Sequence, residues 1–358
     1  MRIVVAMSGG VDSSVTAALL QEAGHEVIGI TLQLYDHGAA VARKGACCAG
    51  QDIHDARAVA DRLGISHYVL DFEDRFRKAV IEDFADTYAA GRTPVPCIRC
   101  NQRIKFRDLL EVARDLGAEA LATGHYARRL EGADGPELHR AIDASRDQSY
   151  FLFATTAEQL GFVRFPLGEL PKPETRRHAA RLGLPVAEKP DSQDICFVPS
   201  GHYSELVGKL RPETLIAGEF VGLDGRKLGE HAGVASYTVG QRRGLGLTAA
   251  ERLYVVGIDA ASRRVTVAPR ARATCLEVEL AEASWLARPS PGTLVRVKHR
   301  ANEPAVPAMI GQLDGCGGRL RFERAQVGVA PGQACVVYQG SRVLGGGWIR
   351  TAPLLAAA

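Results

Sequence analysis

Ile3-Val4-Val5-Ala6-Met7-Ser8-Gly9-Gly10-Val11-Asp12-Ser13-Ser14 is the stretch that decides the fold. A short β-branched run reads as a strand, and Ser13 to Ala23 reads as a helix stopped by Gly24. The glycines between them let the backbone approach a phosphate closely. Consecutive N–H groups and the positive end of the helix favour an anion there, and the hydroxyls of Ser8, Ser13 and Ser14 add donors. Asp12 is the odd member. An acid beside a phosphate cradle repels unless a cation sits on it, which points to Mg²⁺. The Gly-Lys-Ser/Thr of a Walker A loop is missing, so transfer of the γ-phosphate is not the natural reading. An ordinary strand–turn–helix junction is the plainer alternative, but a bare Gly-Gly turn does not need the full Ser-Gly-Gly-Val-Asp-Ser string.

Outward from the loop, strands and helices alternate. Strands are expected at Glu26–Leu34, His67–Leu70 and Ala120–Thr123. Helices are expected at Asp52–Leu63, Glu73–Ala90 and Arg103–Leu116, each followed by a glycine. This pattern predicts an α/β domain with a doubly wound, mainly parallel sheet, and ligands beyond the carboxyl ends of its strands. From about Thr214 the helical period disappears. Runs such as Glu219–Leu223, Tyr254–Ile258, Arg264–Val267, Leu294–Lys298, Arg319–Phe322 and Ala334–Tyr338 predict two small mainly-β modules, the last barrel-like. The expected domains are residues 1–205, 206–270 and 271–358.

Composition narrows the class. The 358 residues, 46% hydrophobic and 24% charged, fit a multidomain globular protein. No apolar run reaches membrane-helix length, and no secretory signal is recognisable, so a cytoplasmic protein without a membrane partner is expected. The net charge is +3, and residues 271–358 hold 10 Lys/Arg against 6 Asp/Glu. That basic excess points to a nucleic-acid contact there.

Two cysteine-bearing segments add chemistry. In Gly91-Arg92-Thr93-Pro94-Val95-Pro96-Cys97-Ile98-Arg99-Cys100-Asn101 the prolines predict a stiff, exposed loop before a helix. The helix N-terminus, Arg99 and Arg103 are expected to lower the thiol pKa. Lys189-Pro190-Asp191-Ser192-Gln193-Asp194-Ile195-Cys196-Phe197 is a polar loop with one embedded cysteine. Either cysteine alone is more often structural. Together with a nucleotide loop they suggest sulfur transfer. Cys47 and Cys48 are expected in a loop near the nucleotide, and Cys275, Cys316 and Cys335 as small buried hydrophobes.

The Ser8–Ser13 string resembles the PP-loop of the N-type ATP pyrophosphatases. That resemblance implies that AMP is placed on a substrate oxygen and pyrophosphate leaves; it does not choose among amidating, ureido-forming or thionucleoside chemistry. Several blocks narrow it: Gly91–Pro94, Cys100-Asn101, Ala122-Thr123-Gly124-His125-Tyr126, Asp147–Leu152, Asp191–Phe197, Tyr237–Gly246 and Pro331–Ala334. They run in order along essentially the whole chain and resemble the tRNA-specific 2-thiouridylase family, which converts the wobble uridine (position 34) to 2-thiouridine.

The family resemblance implies ATP held by Ala6, Met7, Ser8, Gly9, Gly10, Val11, Asp12 and Ser13, with Leu32 and Gly124. It implies a persulfide on Cys196, taken from a sulfur-donor protein, and Cys100 as its nucleophilic partner. tRNA contacts would fall on Val95, Pro96, Cys97, His125, Arg146, Asp147, Gln148, Arg300, Ala301 and Gln333. His125 equally suits a turn at a strand end, and Arg300 a solvated strand charge. Many family members carry Asp at the position of Cys97. Here Cys97 and Cys100 make a Cys-x-x-Cys, and with Cys196 they offer three thiolates for an iron–sulfur cluster; a redox pair or a bystander Cys97 are the competing readings. Two rival functions remain at this level: an amidating or ureido-forming PP-loop ligase, which needs no paired cysteines, and a non-catalytic RNA-binding protein, which would release no pyrophosphate.

Overall fold

A computed structural model describes residues 1–35, 48–191, 195–198 and 202–354. Cys47 and Ser192–Asp194 lie outside the described residues. The chain packs as two compact units: Met1–Val80 with Cys97–Gln193 and Ser341–Val343, and Ile81–Pro96 with Asp194–Gly340 and Leu344–Ala358.

The first unit is built on a five-stranded parallel sheet. Its strands are β1 (Arg2–Ala6), β2 (Glu26–Gln33), β3 (Ser66–Asp71), β4 (Ala120–Thr123) and β7 (Val163–Arg164), in the order β3-β2-β1-β4-β7. Ile3, Val4 and Val5 are buried because both faces of β1 are covered. Helices α1 (Val11–Glu22), α2 (Cys48–Leu63) and α3 (Lys172–Arg181) contribute Val15, Ala17, Ala18, Ala56, Val59 and Ala179 to the core. The strand order turns back at β1, so the crevice lies beyond the adjoining ends of β1 and β4, where Ala6 pairs with Thr123. An antiparallel hairpin, β5 (Ala127–Gly132) and β6 (Gly135–Arg140), was not expected from the sequence; its charged residues hide the period-2 signal.

The second unit is mainly β. Its four-stranded sheet has the order β10-β11-β8-β9, made of β8 (Gly218–Val221), β9 (Lys227–His231), β10 (Leu253–Asp259) and β11 (Arg264–Pro269). Phe220, Val255, Val265 and Val267 form its centre. A closed barrel follows: β12 (Thr274–Trp285), β15 (Gly317–Val327), β14 (Val306–Asp314), β13 (Leu294–Lys298), β16 (Ala334–Gln339) and β17 (Arg342–Thr351), with β17 pairing back to β12. Val278, Leu280, Val297, Ile310, Phe322 and Val337 fill it. Five of the six expected runs fall inside strands, and Glu219–Leu223 overruns β8, which ends at Val221. The doubly wound sheet and the barrel-like last module are borne out.

Candidate active site

The loop Ser8–Gly10 joins β1 to α1. Gly9 sits at φ +71°, and a Cβ there would run into the Asp52 carbonyl. Gly124, at the end of β4, lies so close that its Cβ would meet the Asp12 carbonyl carbon and the Ser13 nitrogen at 2.8 Å. Glycine is therefore required at both points by backbone packing. Gly10 begins α1 without any side-chain cap, so no side chain caps the first N–H groups of the helix.

The serine hydroxyls bond within the loop. Ser13 Oγ and Ser14 Oγ donate back to the Gly10 carbonyl at 3.2 and 2.8 Å, and Ser13 Oγ accepts from Ser8 N–H at 3.1 Å. These bonds brace the loop. Ser8 is exposed, Met7 and Val11 are buried, and Ala6 and Leu32 are half-buried at the ends of β1 and β2.

Around the loop lies a charge network that the linear motifs did not disclose. Lys172 Nζ donates to both Asp12 carboxylate oxygens, at 2.7 and 2.8 Å, and lies 2.8 Å from Asp191 Oδ1. Tyr126 O–H reaches Asp12 Oδ1 and Thr175 Oγ1, each at 2.9 Å. Arg146 and Arg176 reach Asp191 at 2.8 and 3.3 Å. Burial works to raise the Asp191 carboxyl, but Lys172, Arg146 and Arg176 together hold it below its usual value. Burial chiefly raises the Tyr126 phenol, which stays protonated. Lys189 Nζ reaches the Gly9 carbonyl at 3.0 Å, Asp52 at 2.7 Å and Asp55 at 2.5 Å, tying the loop to α2. Only the Pro/Arg-rich composition of 166–183 hinted at this region.

The thiol environment differs from the sequence expectation. A helical turn already begins at Pro96, and Cys100 opens a π-helical stretch, Cys100–Leu109, with its side chain buried. Proline suits a first helical position, so the predicted loop winds up seven residues early. Arg99 donates to Gln102 and Arg103 to the Ala79 carbonyl, neither toward sulfur. Desolvation raises the Cys100 thiol, Lys105 opposes it, and Cys97 adds to the rise. Cys97 is exposed to solvent, yet desolvation by the chain around it also raises its thiol, again against Lys105. The expected lowering of these thiols is therefore overturned.

Cys196 is exposed. Its neighbour Phe197 is buried edge-on against Phe84, at 5.3 Å and 89°, which anchors the turn that presents the sulfur. Among the described residues no group of three or more His, Cys, Asp or Glu is arranged to hold a metal. Cys275 and Cys335 are buried, as expected, and pushed up to about 12 by that burial; Cys316 is exposed, against expectation, because it lies in the β14–β15 turn.

The residues expected at tRNA divide. Arg146 is exposed and pairs with Asp191. Asp147 accepts from the backbone of Ala141 and Ser149, and Gln148 accepts from Tyr126 N–H at 2.9 Å, so both build the turn. His125 is bonded to Thr123 Oγ1 at 2.8 Å and packed by Phe106 and Phe165. Burial, with Lys105 adding, depresses it well below the ordinary imidazole value and leaves it neutral. Arg300 is no solvated charge: its guanidinium donates to the Gly328 carbonyl and to the Val239 carbonyl at 3.3 Å. Ala301 is half-buried beside it. Gln333 Nε2 lies 3.4 Å from the Thr93 carbonyl, and Thr93 N–H donates to Pro331 at 2.8 Å; this clasp fixes the strap that leads into half-buried Val95 and Pro96.

Comparison with known proteins agrees with this architecture. Residues 1–200 match the family model described as the tRNA methyl transferase HUP domain. Residues 205–269 match the tRNA methyl transferase PRC-barrel domain, and residues 276–349 the aminomethyltransferase beta-barrel domain. The tRNA-specific 2-thiouridylase MnmA of Rhodospirillum centenum is 61% identical over 97% of this chain and 91% of its own length. The protein of the same name from Acidiphilium cryptum is 63% identical over 98% of this chain and 100% of its own length. Identity of this extent over nearly the whole length shows the family, and on that ground the chain belongs to the tRNA-specific 2-thiouridylase family.

Proposed function

We propose that this protein is an ATP-dependent tRNA uridine 2-sulfurtransferase acting on the wobble uridine. The observation that carries the reading is the uncapped N-terminus of α1 behind a glycine turn, set beyond the adjoining ends of β1 and β4. That geometry binds polyphosphate through backbone N–H groups. Uracil O2 is a poor leaving group. Its attack on the α-phosphorus of ATP forms the O–P bond, expels pyrophosphate and converts the oxygen into part of AMP. Mg²⁺ accompanying ATP would lower the charge of the phosphates, and Asp12, the acid in the first turn of α1, is the carboxylate that would hold it, since the ion is commonly held by one or two carboxylates plus phosphate oxygens.

Cys196 is the residue we assign to the incoming sulfur, because it is exposed on an anchored turn and can meet a persulfide-bearing donor protein. The outer sulfur of the Cys196 persulfide attacks C2 of the activated ring, and AMP departs with the bonding pair. The Cys100 thiolate then attacks the Cys196 sulfur, releasing 2-thiouridine and leaving a disulfide for an external thiol to reduce. Cys100 can equally attack first and free hydrosulfide; both routes require the same two cysteines. Residues 1–205, 206–270 and 271–358 are the division we assign to adenylation, a central β module and a tRNA-contacting barrel.

The test is nucleoside mass spectrometry of tRNA after incubation with ATP, Mg²⁺ and a persulfide donor. Cys100→Ala and Cys196→Ala are expected to abolish 2-thiouridine while retaining tRNA binding. Full thiolation by either variant sinks the assignment, and amidating chemistry would be indifferent to both. Iron and labile-sulfide analysis of the same preparation decides the cluster reading of Cys97, Cys100 and Cys196. Full activity without iron eliminates it.

A further inference from the structure

Lys172 is the first residue of α3 and its side chain is only 7% exposed. Its ammonium lies between two carboxylates, Asp12 on the nucleotide loop and Asp191. Its backbone N–H is held by Asp143 at 3.0 Å, so the stem is anchored while the head is not committed to backbone. Both carboxylates keep other support if the ammonium moves. Asp191 retains Arg146 and Arg176; Asp12 retains the Tyr126 hydroxyl and the positive end of α1. Lys189, the other lysine on the loop, has its three donors engaged by Gly9, Asp52 and Asp55. The loop itself supplies no cation of the Walker type.

We propose that Lys172 is the cation that meets the β- and γ-phosphates of ATP, and that Asp12 and Asp191 hold it ready at the loop. This inference rests on the adenylation reading above. As the uracil oxygen bonds to the α-phosphorus, the bridging oxygen takes the electron pair of the breaking bond and leaves with pyrophosphate. The Lys172 ammonium neutralises that developing charge, a role typically worth two to three orders of magnitude in rate.

The experiment is tRNA-dependent exchange of labelled pyrophosphate into ATP, together with equilibrium binding of pyrophosphate and of AMP, on the full-length protein. For Lys172→Met we expect exchange to fall about 100-fold. Pyrophosphate binding should weaken about 10-fold or more and AMP binding stay within about twofold, since AMP lacks the phosphates that Lys172 meets. Wild-type exchange in this variant, or equal weakening of AMP and pyrophosphate, overturns the proposal; equal weakening is the mark of a residue that only packs the loop. Lys172→Arg keeps charge and ion pairs and guards against misfolding. Its bulkier head misplaces the charge, so exchange should drop about 10-fold with AMP binding intact, and unimpaired exchange counts against the role. If the wild-type protein itself shows no tRNA-dependent exchange, the adenylation reading fails, a result distinct from failure of the Lys172 variants.

Discussion

Cys100 shows how one residue can be legible in position and illegible in chemistry. Its spacing from Cys97 and its place beside Asn101 are plain in the chain. Its environment is not, because Arg99 and Arg103 turn to other partners and burial dominates. The sign is set by desolvation, which disfavours the thiolate; the folded pKa lies above the ordinary value of about 8.5. Sulfur transfer that depends on the Cys100 thiolate should therefore keep rising about tenfold per pH unit beyond pH 8.5. Single-turnover thiolation with preformed adenylate and persulfide measures this, and a plateau below pH 8 would show that the buried thiol is not rate-determining. Lys105 is the cation that limits the rise. It stands five residues after Cys100 on a helix whose wide turn brings such positions to one side.

At the scale of the element, the strand–loop–helix unit was readable almost to its ends: β1, α1 and the glycine turn follow from β-branching, glycine placement and the Gly24 stop. What the loop touches was not. Gly9→Ala places a Cβ on the Asp52 carbonyl and forces an L-residue into the left-handed region. It is expected to cost about 1–2 kcal/mol from conformation alone and to weaken ATP binding more than 10-fold. Gly24→Ala, at φ +81° but with nothing within 4 Å, should lower stability by a similar conformational amount and leave ATP affinity unchanged. Thermal melts and ATP titrations of the pair separate the two effects; equal ATP affinity in both would contradict the close approach at Gly9.

At the scale of the whole molecule, long-range pairing joins segments far apart in sequence. Arg300 illustrates it within the second unit. Its guanidinium links the Gly328 and Val239 carbonyls and lies against Gly240 and Gly328, where a Cβ would strike it. Arg300→Ala should destabilise the protein by about 1.5–3 kcal/mol, the range for hydrogen bonds to a charged group. The salt dependence of tRNA binding should stay the same, whereas loss of a true phosphate contact reduces the slope by about 1. A variant with an unchanged melting temperature and a shallower salt slope would restore Arg300 to the RNA surface.

The sequence by itself determined the α/β class, the glycine turn between β1 and α1, the spacing of Cys97 and Cys100 and the β character after Thr214. Each of these rests on local pattern: turn chemistry, periodicity, and short motifs whose residues are neighbours along the chain. The tertiary structure alone decided which partners the motif residues meet. Lys172 lies 160 positions from Asp12, and Tyr126 lies 114 positions away; the sheet order β3-β2-β1-β4-β7 places the loop beside β4, and Asp12 within reach of both. Burial likewise set the thiols of Cys97 and Cys100 against the expectation from their sequence neighbours. The physical reason is the same in both cases: desolvation and ion pairing depend on atoms within a few ångströms, and close packing recruits those atoms from segments that sequence distance keeps apart.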